Sequence, residues 1–368
     1  MAVSSDSPVS RRSLLKAGAL GSVAVLAGRS FAFGQSSDSW LVAWAQVGPV
    51  GDAGWTYQQD VARRALEKRL PWVKTAQVES VGPSDMQRVI EDFVAQGAKV
   101  VMVQDPTVMD VVLEVAERHP GSYFMVANGF RTAKNVGGFY GHMEEAYYLS
   151  GRVAGKMTKS NVLGFVGPFP VPTVVQAING FAMGVKAVNP TAKVKLVWTQ
   201  SWYSPPQERQ AAQSLINTGA DVVAQYADSP TVVQTAEQAG KYAIGSNSDL
   251  SKFGPHAYLT GQIWDWTGLY EKLLTDLHDG KWTPSIRWGG LADGTIKLGP
   301  INAAVPADVR NSVEQAKEDI ISGKLAIFTG PLKDNEGQVR VAEGKSLGES
   351  ERHGMTWLLD NIQGSIPK

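Results

Sequence analysis

The sequence predicts an α/β protein of two related lobes, each a parallel β-sheet covered by helices. Three observations lead there. Short apolar runs alternate with amphipathic stretches along nearly the whole chain, the order that gives parallel sheets with helices on both faces. One stretch recurs: Gln96-Gly97-Ala98-Lys99-Val100-Val101 leads to Asp105-Pro106-Thr107-Val108, and Thr218-Gly219-Ala220-Asp221-Val222-Val223 leads to Asp228-Ser229-Pro230-Thr231-Val232. Setting aside a leader leaves about 330 residues, enough for two domains of ordinary size.

Strands are expected at Leu41–Ala45, Ala76–Ser80, Val100–Val103, Tyr123–Val126, Leu163–Val166, Val194–Trp198, Val222–Gln225 and Tyr242–Gly245. Between them, helices are expected at Thr56–Arg69, Asp85–Gln96, Thr107–Arg118, Glu144–Lys156, Thr173–Val188 and Gln207–Thr218. Each copy of the recurring stretch reads as a helix, a Gly-Ala turn, a buried strand and a loop with an Asp ahead of a Pro-Thr helix start. The lobes should part near Lys159-Ser160-Asn161. A second crossing is expected around Thr260–Gln262, followed by a helix over Ile263–Gly280 in which Trp264 and Trp266 cannot share one face. The chain therefore divides into a leader (1–34), a first lobe (35–158, completed by about 263–285) and a second lobe (159–262, completed by about 286–368). The polar stretch Lys333–Glu351 reads as surface loops. Ligands in such sheets lie beyond the carboxyl ends of the strands, and a cleft between hinged lobes is the default site.

The leader carries Ser10-Arg11-Arg12-Ser13-Leu14-Leu15-Lys16, an apolar run from Ala17 to Ala27, and Ala32-Phe33-Gly34 before Gln35. This is the pattern of a cleavable twin-arginine export signal, which places the mature chain in the periplasm. The apolar run is shorter than the roughly 20 residues a membrane span needs. The chain has no cysteine, which removes disulfides, thiolate metal sites, a thiol nucleophile and a lipid-anchored N-terminal cysteine. Its formal net charge is zero, so a nucleic-acid partner is not expected.

Catalytic signatures are missing: there is no phosphate-binding P-loop, no Gly-x-Ser-x-Gly elbow, no HExxH and no glycine fingerprint after the first strand. The five histidines are scattered and none has a partner at metal-ligand spacing. No metal and no cofactor is implied. Eleven tryptophans instead point to stacking surfaces.

The loop after the first strand reads Gly48-Pro49-Val50-Gly51-Asp52-Ala53-Gly54-Trp55-Thr56-Tyr57. Gly54 lets backbone approach closely, Asp52 is a candidate helix cap, and Trp55 falls in the first helical turn, as a ligand platform or as a helix-to-sheet core contact. A second aromatic loop, Thr199-Gln200-Ser201-Trp202-Tyr203-Ser204-Pro205-Pro206, stands at an equivalent place in the other lobe. Trp55 and Trp202, one per lobe, are candidates to sandwich a planar ligand, with Phe169 as a weaker candidate for the same work. Polar specificity should come from other strand ends: Gln104 and Asp105, Asn128, Asp228, Asn247 and Asp249. Asp accepts from ring or exocyclic N–H groups, and Asn both donates and accepts.

With these residues in hand, the chain resembles the basic membrane protein (BMP) family of ABC-transporter receptors, typified by purine nucleoside receptors. The resemblance runs over nearly the whole mature chain. It is carried by Gly51-Asp52-Ala53-Gly54-Trp55, Glu145-Ala146-Tyr147-Tyr148-Leu149-Ser150-Gly151, Gly164-Phe165-Val166-Gly167, Asn179-Gly180-Phe181-Ala182-Met183-Gly184-Val185-Lys186-Ala187-Val188-Asn189-Pro190 and Gly219-Ala220-Asp221-Val222-Val223. It implies the type I periplasmic-binding-protein architecture, two Rossmann-like lobes joined by a multi-strand hinge. It also implies a purine held between two rings, which match Trp55 and Trp202, and acidic site residues near Asp105 and in the Asn247-Ser248-Asp249 turn. The implied partner is the membrane permease of an ABC importer. Members of this family are often lipid-anchored, but without a cysteine this chain is expected free in the periplasm, and a monomer suits lobes that dock on a transporter.

Two departures matter. Nucleoside-binding members carry a sugar-contacting lysine where this chain has Trp264, and their usual Phe-Asn pair is replaced by Trp55-Thr56. The replacement of the lysine favours a free purine base, adenine first, over a nucleoside. Two further readings stay open: an exported nucleoside hydrolase-like enzyme using Asp105 or Asp228, and a receptor that signals rather than transports.

Overall fold

The computed structural model describes residues 39–51 and 53–367. The export signal and the helix cap assigned to Asp52 lie outside the described residues. Among those residues no helix is long and apolar enough to cross a membrane.

The first lobe is laid down by β1 (Trp40–Ala45), α1 (Trp55–Arg69), β2 (Val73–Val78), α2 (Pro83–Ala95), β3 (Ala98–Val103), α3 (Met109–Arg118), β4 (Tyr123–Ala127) and β5 (Val136–Gly141). Its strands pair in parallel in the order β5-β4-β3-β1-β2. The strands inside the sheet read as near-continuous apolar runs because helices cover both of its faces, whereas β2 at the edge is mixed. Val100, Val101, Met102 and Val103 are all fully buried.

The second lobe comprises α4 (Met143–Met157), β6 (Val162–Gly167), α5 (Pro172–Val188), β7 (Lys193–Trp198), α6 (Pro205–Asn217), β8 (Val222–Gln225), α7 (Thr231–Gln238), β9 (Tyr242–Gly245) and β10 (Tyr258–Trp264). Its sheet runs β10-β9-β8-β6-β7. The order β9-β8-β6-β7 repeats β4-β3-β1-β2, so the two lobes are built to one plan. Gly97 and Gly219, at matching helix ends ahead of β3 and β8, both take positive φ (89° and 101°). That conformation closes a helix and is open to glycine without strain.

From β10 the chain returns to the first lobe through α8 (Thr267–His278) and β11 (Ile286–Gly289), which pairs in parallel with β5. It then passes back to β12 (Ile296–Leu298), antiparallel to β10. The remainder is α9 (Ala307–Ile321), the hairpin β13 (Leu332–Lys333) and β14 (Val339–Val341), α10 (Glu349–His353), and β15 (Ile362–Gln363) on the edge beside β7.

Three expectations are corrected. The first crossing falls at His142, one helix earlier than Lys159–Asn161, because α4 belongs to the second lobe. A Cβ on Gly151 would sit 2.1 Å from the Phe181 carbonyl oxygen, and one on Gly184 would sit 1.9 Å from that of Tyr148. Glycines therefore let α4 and α5 pack backbone to backbone. The polar Lys159-Ser160 step is only a turn, held by the Asp221 carboxylate through Thr158, Lys159 and Ser160. The helix expected from Ile263 starts instead at Thr267, because strand pairing on both sides carries β10 through Trp264. Trp264 and Trp266 do not compete for a helix face: they stack at 4.4 Å, and both are buried. The stretch read as surface loops holds β13, β14 and most of α10. There buried Asp334 accepts from the Glu336 and Gln338 amides and from Arg340.

Candidate functional site

The carboxyl ends of both sheets meet between the lobes, and the loops that follow them supply the candidate site. On the first-lobe side Trp55 opens α1 and is half-buried. Its ring lies edge-on to Trp264 at 5.4 Å and to Trp266 at 5.3 Å, and it tilts toward Tyr140 at 5.9 Å. On the second-lobe side Trp202 is 42% exposed. It packs against Phe169 at 5.4 Å and Tyr226 at 6.2 Å, both tilted.

Trp202 follows β7, whose counterpart in the first lobe is β2 rather than β1. The equivalence expected for Trp55 and Trp202 therefore does not hold. Phe169, after β6, occupies the topological counterpart of Trp55. The two second-lobe rings reach the cleft from neighbouring strands and touch one another.

The walls meet at Tyr140 and Tyr226, whose hydroxyls lie 3.3 Å apart across the lobes. Burial pushes the Tyr140 phenol up to about 12, and burial likewise raises that of Tyr226. Both stay neutral at physiological pH, so the floor of the cleft is a buried, uncharged contact.

A hydrogen-bond chain joins four of the predicted residues, and a fifth, Gly54, packs against it. The Trp264 indole N–H donates to Asn247 Oδ1 at 3.0 Å. Asn247 Nδ2 donates to Asp228 Oδ1 at 2.8 Å, and the same oxygen accepts the Trp55 backbone N–H at 3.0 Å. Gly54 lies against Asp228, where an added Cβ would come within 2.5 Å of the Asp228 Cβ. Asn247 and Trp264 are buried.

Asp105 and Asp249 stand apart from this chain. Asp105 Oδ1 accepts from the Thr107 amide at 2.8 Å and the Thr107 hydroxyl at 2.6 Å. Asp249, exposed, accepts from the Ser251 amide. Each carboxylate starts its own turn, the common local use of Asp. Asn128 takes positive φ (53°) and lines a cavity of about 700 Å³ at the outer side of the cleft, with Thr107, Phe130, Thr173, Trp288 and His353.

Sequence reasoning missed Tyr140, Tyr226, Trp288 and His353. Tyr226 directly follows Gln225 at the end of β8, a strand-end position that strand-end logic alone would flag. Tyr140 lies in Val136-Gly137-Gly138-Phe139-Tyr140-Gly141, whose three glycines hide a strand. Trp288 and His353 come from β11 and α10, neither of which stands out as a periodic segment. Their rings stack at 3.6 Å, and His142 stacks on Trp288 at 5.5 Å. Beneath them Arg352 Nη1 and His142 Nδ1 lie 3.1 and 3.5 Å from Oε1 of fully buried Glu144. Burial pushes the Glu144 carboxyl up, but His142 and Arg352 outweigh it and hold it below its ordinary value. Burial drives His353 down to about 4.

Two parallel lobes of one strand order, joined by three crossings around an aromatic-lined cleft, define a solute-binding protein of type I periplasmic-binding-protein architecture. Residues 40–336 match the family described as ABC transporter substrate-binding protein PnrA-like, and the chain belongs to that family. A protein named as purine-binding in Brucella abortus is 34% identical over 329 residues, covering 89% of this chain and 94% of its own. A putative ABC transporter glucose-binding protein of Haloferax volcanii is also 34% identical, over 325 residues covering 88% of this chain and 81% of that one. A solved ABC transporter solute-binding protein from Conexibacter woesei superposes with a TM-score of 0.67 at 25% identity, covering 78% of this chain and 98% of that one. The family and the Haloferax and Conexibacter relatives are described as substrate-binding proteins of ABC transporters rather than enzymes.

Proposed function

We propose that this chain is a periplasmic receptor that captures a planar purine, a free base such as adenine, and delivers it as a monomer to the permease of an ABC importer. The observation that carries the reading is the pair of aromatic walls, Trp55 with Tyr140 and Trp202 with Phe169, on opposite lobes of one cleft. Stacking a base on an aromatic side chain contributes roughly 1–3 kcal/mol, and the two walls offer rings from both lobes. Asn247 and Asn128 supply adaptable polar groups beside them. The purine-binding relative in Brucella abortus, similar over nearly the full length of both chains, supports the same ligand class.

The choice of base over nucleoside rests on Trp264. Where nucleoside-binding members of the family carry a lysine, this chain has a buried indole whose N–H is already given to Asn247. A ribose finds no ammonium donor there and little room beside the ring. Titration calorimetry of ligand-free protein with adenine, guanine, adenosine, guanosine and glucose tests both levels of the reading. The expected result is tightest binding of adenine, with the nucleosides at least tenfold weaker. Preference for the nucleosides overturns the choice of base, and binding of glucose alone overturns the purine reading.

A further inference from the structure

The Asp228 carboxylate, although it sits among candidate ligand groups, is turned toward the other lobe. The first amides of a helix lack partners within the helix, and its N-terminus carries partial positive charge. In α1 the amide of Trp55, the first helical residue, is taken by Asp228 Oδ1 from the loop after β8. A carboxylate of the second lobe thus caps a helix of the first.

Three neighbouring contacts give the cap its geometry. Gly54 precedes Trp55 with φ of −104° and ψ of −142°. Glycine is needed there for space: an added Cβ would meet Asp228 Cβ at 2.5 Å and Cα at 2.6 Å. Asn247, itself held by Trp264, donates to the same carboxylate oxygen and fixes its aim. One turn further along α1, Gln58 Nε2 donates to Ser248 Oγ at 2.9 Å, a second bond across the lobes. The backbone N–H of Asp228 also donates to the Trp202 carbonyl at 3.0 Å. One residue therefore grips Trp55 through its side chain and Trp202 through its backbone.

We propose that Asp228 is the closure latch of this receptor, a positioning residue that couples the lobes and sets the spacing between the two aromatic walls. Its carboxylate is spent on the α1 terminus, and Gly54 is the clearance that lets it arrive. This role holds whichever solute the cleft takes, because every bond in it lies within the chain.

Ligand-free solution scattering tests the latch independently of any solute. Three variants are compared with the parent: Asp228→Ala removes the cap, Asp228→Asn keeps an acceptor without the charge, and Gly54→Ala leaves the carboxylate but blocks its approach. Losing an N-cap should lower the closed-to-open ratio by roughly tenfold. The expected result is a larger radius of gyration for Asp228→Ala and Gly54→Ala, with Asp228→Asn between them and the parent. The double variant should be no more open than either single one. Far-ultraviolet circular dichroism separates opening from unfolding, and if Asp228→Ala fails to fold, Gly54→Ala with Asp228→Asn carries the comparison. Scattering profiles of Gly54→Ala and Asp228→Asn that match the parent overturn the latch, as does a double variant whose opening is the sum of two independent effects.

Discussion

Trp55 and Trp202, the two rings proposed to hold the ligand from opposite lobes, are packed differently by the chain. Trp55 is wedged among Tyr140, Trp264 and Trp266, with its amide held by Asp228. Trp202 and its neighbour Tyr203 are 42% and 49% exposed, on a loop bounded by Pro205 and Pro206 whose Trp202 carbonyl accepts the Asp228 amide. The first ring is part of the structure before any ligand arrives. The second has Phe169 and Tyr226 as its ring neighbours among the described residues. Under the proposed function, Trp55 is the fixed wall and Trp202 the wall that settles on closure.

Truncating the two rings should therefore break different things. Removing a large aromatic from a packed core costs about 3–5 kcal/mol. Trp55 is half-buried, so Trp55→Ala should lose about 2 kcal/mol of stability as well as most of its affinity. Trp202→Ala touches little packing and should stay within about 0.5 kcal/mol of the parent in stability. It should still weaken binding by the roughly 1–3 kcal/mol of one stacking face. Thermal melts and calorimetry on both variants check this. Equal losses of stability from the two would erase the distinction between a fixed and a settling wall.

A smaller effect concerns the outer edge of the cleft, where α10 lays His353 on Trp288 of the first sheet. Burial lowers the His353 value to about 4, against about 6.5 for a free imidazole, while Glu144 raises it and His142 and Arg352 lower it. The unfolded chain therefore binds the proton more readily, and the stability owed to neutral His353 is lost as pH falls from about 6.5 toward 4. Because the ring is only half-buried, the change should be about 1 kcal/mol or less. His142 titrates in the opposite sense: burial pushes it down, but hydrogen bonding to Glu144 outweighs this and raises it. The comparison must therefore be with His353→Phe, which keeps the stacking face. Melts at pH 7 and pH 4.5 should show a smaller drop for the variant; an identical drop would remove His353 from the account.

Much of this architecture was legible in the sequence, for a physical reason. Parallel strands buried on both faces leave long apolar runs, and the Gly97 and Gly219 turns ahead of β3 and β8 mark the same step in each lobe. Strand-end logic found Trp55, Asp228 and Asn247, which do come together. It could not tell which group each carboxylate faces. Asp105, Asp228 and Asp249 look alike in a loop, yet two serve their own turns and one reaches across the lobes. The first crossing was misplaced because a polar turn looks like a linker, whereas the α4–α5 packing that decides the matter depends on glycines some thirty residues apart. Trp288 and His353 were invisible because short edge elements leave no periodic pattern.

The most direct measurement is a crystal structure of the protein with adenine bound. The base plane should lie against Trp55, with Trp202 closing its other side and Asp228 still on the Trp55 amide. Adenine seated instead in the outer cavity beside Trp288 and His353, with Trp202 turned to solvent, would contradict this placement.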